Sequence, residues 1–178
     1  MKTRKCKYCK STFEPVAFLQ KNCFEPDCVT AWIQETKEKA WQKKKAKLKA
    51  DLMTIQDYVK LAQQVFNKFI RLRDAGQNCI SCNKKPLKEN AGHFYNANNH
   101  WNVRFNELNV HLQCEYCNTH LHGNLIEYRT NLINKIRNSE FLILEAESKK
   151  TRKFSIDELK DLITVYKAKI KNFENNLK

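Results

Sequence analysis

The chain has 178 residues, room for one ordinary domain or two small ones, so no part of it can rest on a large hydrophobic core. Lysine and arginine number 33 against 19 aspartate and glutamate, a net charge of +14 that favours a polyanionic partner over an acidic small molecule, nucleic acid first. Part of that excess reflects a general abundance of Lys, Asn and Ile, and no run of 18 apolar residues occurs, which excludes a membrane-spanning helix.

Eight cysteines fall as four close pairs: Cys6/Cys9, Cys23/Cys28, Cys79/Cys82 and Cys114/Cys117. The opening Met-Lys-Thr-Arg-Lys-Cys lacks the apolar stretch of a secretory leader, so a cytoplasmic, reducing setting is expected, and metal is the preferred reading of the pairs. Cys6 to Cys28 reads C-x2-C-x13-C-x4-C, with Phe13, Phe18 and Phe24 among turn-type residues. Four thiolates at this spacing suit tetrahedral zinc, which would supply folding energy that so short a segment cannot obtain by burial. Residues 1–30 are therefore expected to form an N-terminal zinc knuckle.

From Val29 to Ala50 there is neither Gly nor Pro, and Lys, Glu, Gln and Ala predominate, which predicts a long solvated helix. Its lysines, including Lys43, Lys44 and Lys45, lie all round it, so residues 31–53 serve either as a DNA-facing arm or as a solvated spacer. A second helix is predicted from Thr54, with Asp57 completing a capping box and Tyr58, Leu61, Val65, Phe66, Phe69, Ile70 and Leu72 as its apolar face. Ala75-Gly76 is expected to end it.

Cys79 to Gly123 is short, polar and turn-rich, and carries every histidine. Cys79, Cys82, Cys114 and Cys117 read C-x2-C-x31-C-x2-C, a second structural zinc clamping the ends of an inserted hairpin. A site closed by four sulfurs offers no open position for catalysis. Strand alternation would put Asn109, His111 and Gln113 on one face, looking across at His93. A helix beginning near Cys117 would project Asn118 and His122 from one face, four residues apart. Beyond Gly123, Leu125, Ile126, Tyr128, Leu132, Ile133 and Ile136 form a candidate buried stripe, and a last helix runs from Ser155, boxed by Glu158, to about Asn175.

Ala91-Gly92-His93-Phe94, Arg104-Phe105-Asn106-Glu107, Asn109-Val110-His111, Gln113-Cys114, Cys117-Asn118, His120 and Gly123-Asn124 together resemble the phage lambda NinG (Rap) recombination family, an endonuclease VII-like group of zinc-containing HNH nucleases. The resemblance is close over residues 54–137, leaving 138–178 as a C-terminal helical segment. It implies a mainly α fold with a small zinc-stapled ββα-metal (HNH) core and an N-terminal zinc knuckle. The implied activity is structure-selective DNA endonuclease action on branched recombination intermediates such as Holliday junctions and D-loops, in the cytoplasm of a bacterial host. It assigns His93 as general base, Asn109 as the residue holding the loop that orients it, and Asn118 as ligand of a catalytic Mg2+ or Mn2+. His122 is the second candidate ligand, and His120 a further one. Neutral imidazole can take a proton from water, and phosphodiester hydrolysis calls for a cation beside the developing charge.

One departure stands out, since many such enzymes carry Asp or His immediately before the base and this chain has Gly92. Arg104, His111, Arg129, Lys43, Lys44 and Lys45 are candidate DNA contacts. Branched or double-stranded DNA is the expected partner, and symmetric cutting of a junction would call for two sites, hence a homodimer. Two rival expectations are a non-catalytic zinc-binding DNA junction adaptor and an RNA-processing relative.

Overall fold

The computed structural model describes residues 3–176; the extreme ends of the two expected terminal segments, residues 1–2 and 177–178, lie outside the described residues. The chain divides into two compact units, Met1–Met53 and Thr54–Lys178.

In the first unit, β1 (Arg4–Lys5) and β2 (Thr12–Phe13) form an antiparallel hairpin. The turn between them folds Cys6 and Cys9 onto one side, with Lys10 in the left-handed region and its N–H on the Cys6 carbonyl. Helix α1 (Pro26–Asp51) follows, opened by Pro26, whose fixed φ suits the first helical turn. Only Cys28 of α1 is buried, because lysines distributed all round leave no apolar stripe to pack. Val16, Phe18, Leu19 and Phe24 are exposed, and the core is Cys6, Cys23 and Cys28 with Tyr8 and Phe13 beside them. Burial of this size cannot hold a unit of some fifty residues together, so its cohesion falls on the sulfur cluster.

The second unit is mainly helical, with one small sheet at its centre. Helix α2 (Ile55–Arg73) starts with the full capping box: Asp57 N–H donates to Thr54 Oγ1 and Thr54 N–H donates to Asp57 Oδ2. The helix stops at Arg73, two residues before the expected Ala75-Gly76 terminus. Strands β3 (Glu89–His93) and β4 (Val110–Cys114) pair antiparallel, with Gly92 opposite His111 and His93 opposite Val110. Helices α3 (Leu125–Ile136), α4 (Asn138–Ser148) and α5 (Ile156–Asn176) complete the unit, α5 opening with the Ser155–Glu158 box.

Two apolar clusters hold the sheet between helices. One joins Val59, Ala62, Phe66, Phe69 and Ile70 of α2 to Leu159, Ile163, Tyr166 and Ile170 of α5, and reaches Val110 of β4. The other joins Tyr128, Leu132 and Ile136 of α3 to Phe141 and Leu144 of α4, with Ile80 and Val103.

Both apolar stripes expected from sequence shift. In α2 the deeply buried positions are Val59, Ala62, Phe66, Phe69 and Ile70, while Tyr58, Leu61, Val65 and Leu72 flank the interface half-buried. In α3, Leu125 and Ile126 are exposed, because the helix enters through the left-handed Asn124 and turns its first apolar residues outward.

Candidate active site and metal centres

The two cysteine tetrads are assembled. The sulfurs of Cys6, Cys9, Cys23 and Cys28, and those of Cys79, Cys82, Cys114 and Cys117, each lie within 4.8 Å of one another. The Cys9–Cys23 and Cys82–Cys114 sulfur separations are both 3.8 Å, too long for a disulfide. They match the edge of a tetrahedron with Zn–S bonds of about 2.3 Å. Backbone N–H groups point at the sulfurs: Cys23 N–H to Cys6 Sγ and Cys117 N–H to Cys114 Sγ, both 3.4 Å, and Asn124 Nδ2 contacts Cys117 Sγ at 3.9 Å. Burial opposes ionisation of Cys6, yet the backbone N–H groups around it hold its thiol down to about 6, whereas burial pushes Cys28 up to about 12. Four sulfurs so crowded cannot all be thiolates without a cation among them, and the donor set suits zinc.

The β3–β4 register decides where the histidines point. Residues directly opposite in an antiparallel pair share a face, so His93 lies with Val110, Ala91 and Leu112, and Gly92 lies with His111, Asn90 and Gln113. The expected polar face looking across at His93 is therefore not formed: His93 turns towards α2, and His111 and Gln113 turn to the other side, where Tyr128 of α3 donates to the Gly92 carbonyl at 3.0 Å. His93 Nε2 bonds the Arg104 carbonyl at 3.1 Å, with Gln63 Nε2 3.5 Å away. A carbonyl accepts only from N–H, so Nε2 carries the proton and Nδ1 the lone pair. Burial, aided by the neighbouring Arg104 charge, lowers His93 from 6.5 to about 4 against the pull of the Arg104 and Ala91 carbonyls. The ring is thus neutral at physiological pH.

Asn109 is wholly buried and spans the loop between the strands. Tyr95 N–H donates to its Oδ1 at 2.8 Å, and its Nδ2 donates to the Tyr95 and Val103 carbonyls, both at 3.0 Å. The loop so fixed carries the carbonyl that holds His93.

After Cys117 the expected helix does not run on. Tyr116–His120 forms a single wide π-type turn, Gly123 N–H returns to the Cys117 carbonyl at 2.8 Å, and His122 and Asn124 take φ of 49° and 43°. The chain must curl to keep Cys117 in the tetrad, so Asn118 and His122 are not four apart on one helical face. Asn118 is half-buried, and His120 and His122 are exposed, with the His120 ring against Tyr116.

Among the DNA candidates, Arg104 and His111 are corrected. Arg104 is nearly buried: its Nε donates to Gln63 Oε1 at 2.9 Å, its NH1 to the Ala97 carbonyl at 3.2 Å, and its guanidinium lies over Trp101. It clasps the loop to α2 and has no free face for phosphate. His111 is buried beneath Tyr128, and burial lowers it to about 3. Arg129 is exposed over the Phe141 ring, and Lys43, Lys44 and Lys45 are exposed along α1.

Three supporting residues carried little sequence signal. Gln63 accepts from Arg104 Nε, donates to Asn67 Oδ1, and packs against the His93 ring. Asp74, at the end of α2, takes two bonds from Arg73 and one from the Leu112 N–H at 3.0 Å, tying the helix to β4. Gln113 was visible only as one polar residue of an alternating strand. It donates from Nε2 to Ser81 Oγ and to the Gly123 carbonyl, while its Oε1 has no partner, a state costing about 1–3 kcal/mol for a buried amide oxygen.

Comparison with known proteins gives a consistent set of relatives. A family model described as Bacteriophage Lambda NinG protein matches residues 1–176. Protein ninG of Escherichia phage lambda is 35% identical over 195 aligned positions, covering 97% of this chain and 94% of that protein. Protein ninG of Salmonella phage P22 is 33% identical over 194, covering 97% and 95%, and that of Escherichia phage 933W is 33% identical over 193, covering 97% and 94%. No solved structure matches.

Proposed function

Because the chain belongs to the bacteriophage lambda NinG family, we propose that it is a metal-dependent endonuclease of the ββα-metal (HNH) type that hydrolyses phosphodiesters in branched recombination DNA. One observation carries the reading: a neutral imidazole, His93, sits at the end of β3 with one nitrogen anchored on the Arg104 carbonyl, in a loop that Asn109 fixes by three backbone hydrogen bonds. An imidazole whose Nε2 is already committed as donor has Nδ1 available to take a proton from water, and holding it in one orientation lowers the entropic cost of the step. A neutral base is also the form that works at neutral pH.

The order strand, loop, strand, sulfur tetrad and turn supports the same reading, since it puts Asn118 immediately after the last zinc ligand. The tetrads are closed by sulfur, so the cation that stabilises charge on the scissile phosphate belongs to a second kind of site. Amide oxygens are ligands that Mg2+ or Mn2+ accepts, and Asn118 would hold it, with His120 on the same turn and His122 just beyond it as further candidates. When bound, that cation would neutralise charge on the phosphate, while His93 acts on water. Lys43, Lys44, Lys45 and Arg129 offer exposed charge to DNA phosphates, and a homodimer would supply two sites for symmetric cutting.

The separation of Asn118 from His122 by the π-type turn favours a second reading, a zinc-stapled adaptor that binds junctions without cutting them. Incubating the two-zinc protein and its His93→Ala variant with a labelled four-way junction and Mn2+ discriminates. Equal binding with cleavage by the wild type alone supports the nuclease; binding with cleavage by neither supports the adaptor.

A further inference from the structure

The first unit carries an apolar surface that its own fold does not use. The loop after β2 shows Val16, Phe18 and Leu19 to solvent, at 78%, 84% and 77% exposure. That exposure is built in. Arg4 NH1 donates to the Phe18 carbonyl at 2.5 Å, the Val16 N–H donates to Gln20 Oε1 at 2.9 Å, and the Lys7 N–H donates to the Lys21 carbonyl at 2.8 Å. The polar backbone of the loop is thereby engaged, and its apolar side chains are left outside. Between this loop and α1 lies a cleft of about 250 Å³, lined by Tyr8, Leu19 and Trp32 and edged by Lys7, Lys21 and Lys39. Trp32 is 49% exposed there. Pockets that enclose a whole small molecule run to about 300–1,000 Å³, so this cleft suits a single flat ring.

Charge selects the occupant. Glu35 is the one acid on the cleft wall, and Lys7, Lys39 and the Tyr8 hydroxyl all donate to it, Tyr8 at 2.6 Å. Those hydrogen bonds, Lys39 first, hold its carboxyl down to about 2, so its charge is already met. Lys21 forms no ion pair among the described residues and is left for an incoming anion. Residues 3–53 carry twelve Lys and Arg against six Asp and Glu, and the unit stays cationic even with a zinc on four thiolates counted as a dianion. Aromatic faces rimmed by cations take bases by stacking and phosphates by charge, whereas a neutral apolar partner would gain nothing from the rim. Paired bases are already stacked; bulges and branch points expose bases at the lowest unstacking cost. We infer that this cleft receives an unstacked DNA base between Tyr8, Leu19 and Trp32, with its phosphate on Lys21. This rests on DNA being the partner in the proposed function and deepens it: an exposed base separates branched DNA from linear duplex, and the first unit recognises it.

The test compares binding of the full two-zinc chain, without Mn2+, to a labelled duplex with one unpaired thymine and to the fully paired duplex, by fluorescence anisotropy. The wild type should bind the bulged duplex about tenfold or more tighter. Trp32→Ala should abolish that preference and leave affinity for the paired duplex within about twofold, and Trp32→Phe should keep most of it. Lys21→Gln should weaken bulge binding and reduce the slope of log affinity against log salt by about one. With 5-iodouracil as the unpaired base, ultraviolet light should crosslink it to Trp32 or Tyr8. Zinc content and melting temperature identify any variant that fails to fold. Equal wild-type affinity for the two duplexes overturns the inference and leaves the cleft to a protein partner. Full preference in folded Trp32→Ala, or crosslinks only outside the first unit, also overturns it, and tighter binding of the same bulge in RNA overturns the assignment to DNA. Junction cleavage in Mn2+ is scored separately: a wild type that prefers the bulge and never cuts defeats the nuclease reading and leaves the cleft. One that cuts junctions without preferring the bulge removes the cleft and leaves His93 standing.

Discussion

Asn109 and Tyr95 exchange a pair of hydrogen bonds, Tyr95 N–H to Asn109 Oδ1 at 2.8 Å and Asn109 Nδ2 to the Tyr95 carbonyl at 3.0 Å, and a third bond from the same amide reaches Val103. One wholly buried side chain thus acts as backbone partner for a loop that has no sheet of its own. Asn109→Ala leaves three backbone groups without partners and should cost roughly 3 kcal/mol in urea unfolding. Under the nuclease account it should also reduce cleavage more than junction binding, because the Arg104 carbonyl would no longer fix His93. Unchanged stability would contradict the bracing role.

Asp74 is the corresponding tie between α2 and β4. Its carboxylate is buried, and although burial works against its charge, the hydrogen bonds and charge of Arg73, with Lys135 and the Leu112 N–H, hold it below the usual range. Asp74→Ala leaves the Leu112 N–H without its acceptor and Arg73 with only its bonds to the Glu107 and Val110 carbonyls, and should destabilise the second unit by about 3 kcal/mol. Asp74→Asn, which can still accept from Leu112, should cost less. The lowered carboxylate contributes stability above its unfolded value near 3.8 and loses it as pH falls through the still lower folded value.

The buried histidines set a limit at higher pH. His93 at about 4 and His111 at about 3 both lie below 6.5, so above 6.5 folded and unfolded chains are alike neutral and the stability is complete. As pH falls below 6.5 the unfolded chain takes up protons first, and stability declines until the folded values are reached. Each histidine should cost roughly 2 kcal/mol between about pH 6.5 and 5. Urea unfolding at several pH values checks this: His111→Asn, if folded, should flatten the slope by about half, and a pH-independent wild type would contradict the burial.

Removal of metal separates the two units. Elemental analysis should find two zincs per chain, and Cys9→Ser should lose one of them while the melting of the second unit persists. Cys114→Ser should lose the other and unfold the β3–β4 hairpin, since that tetrad joins the end of β4 to the loop at Cys79 and Cys82. Loss of neither zinc would contradict the tetrads.

Much of this architecture could be read from the sequence because local chemistry decides it. The boxes Thr54–Asp57 and Ser155–Glu158, the lysine-rich α1 and the cysteine spacings depend on residues near one another in the chain, and all appear as expected. Helix α4 lies in the segment 138–178 expected to be helical, but its bounds and buried face are not legible there: Phe141, Leu142, Ile143 and Leu144 run consecutively, so periodicity says nothing until α3 covers Phe141 and Leu144. The faces of α2 and α3 shifted for the same tertiary reason.

The site was legible in its residues and not in its directions. His93, Asn109 and Cys117-Asn118 stood out by motif, but which side of the sheet His93 takes follows from its register with Val110. The burial of Arg104 follows from Gln63, 41 residues away on α2, and from the Trp101 ring under its guanidinium, so a residue expected on DNA is a clasp. The π-type turn after Cys117 arises from the demand of the tetrad on the chain, which a helix-period reading of Asn118 and His122 does not contain.

The central claim concerns His93 as the base, and the single-turnover rate of four-way-junction cleavage tests it most directly, with two-zinc protein saturating the DNA in Mn2+. The account predicts that His93→Ala slows cleavage by about a hundredfold or more at unchanged junction affinity and zinc content. Equal rates for the two proteins, or no cleavage by the wild type under these conditions, would contradict it.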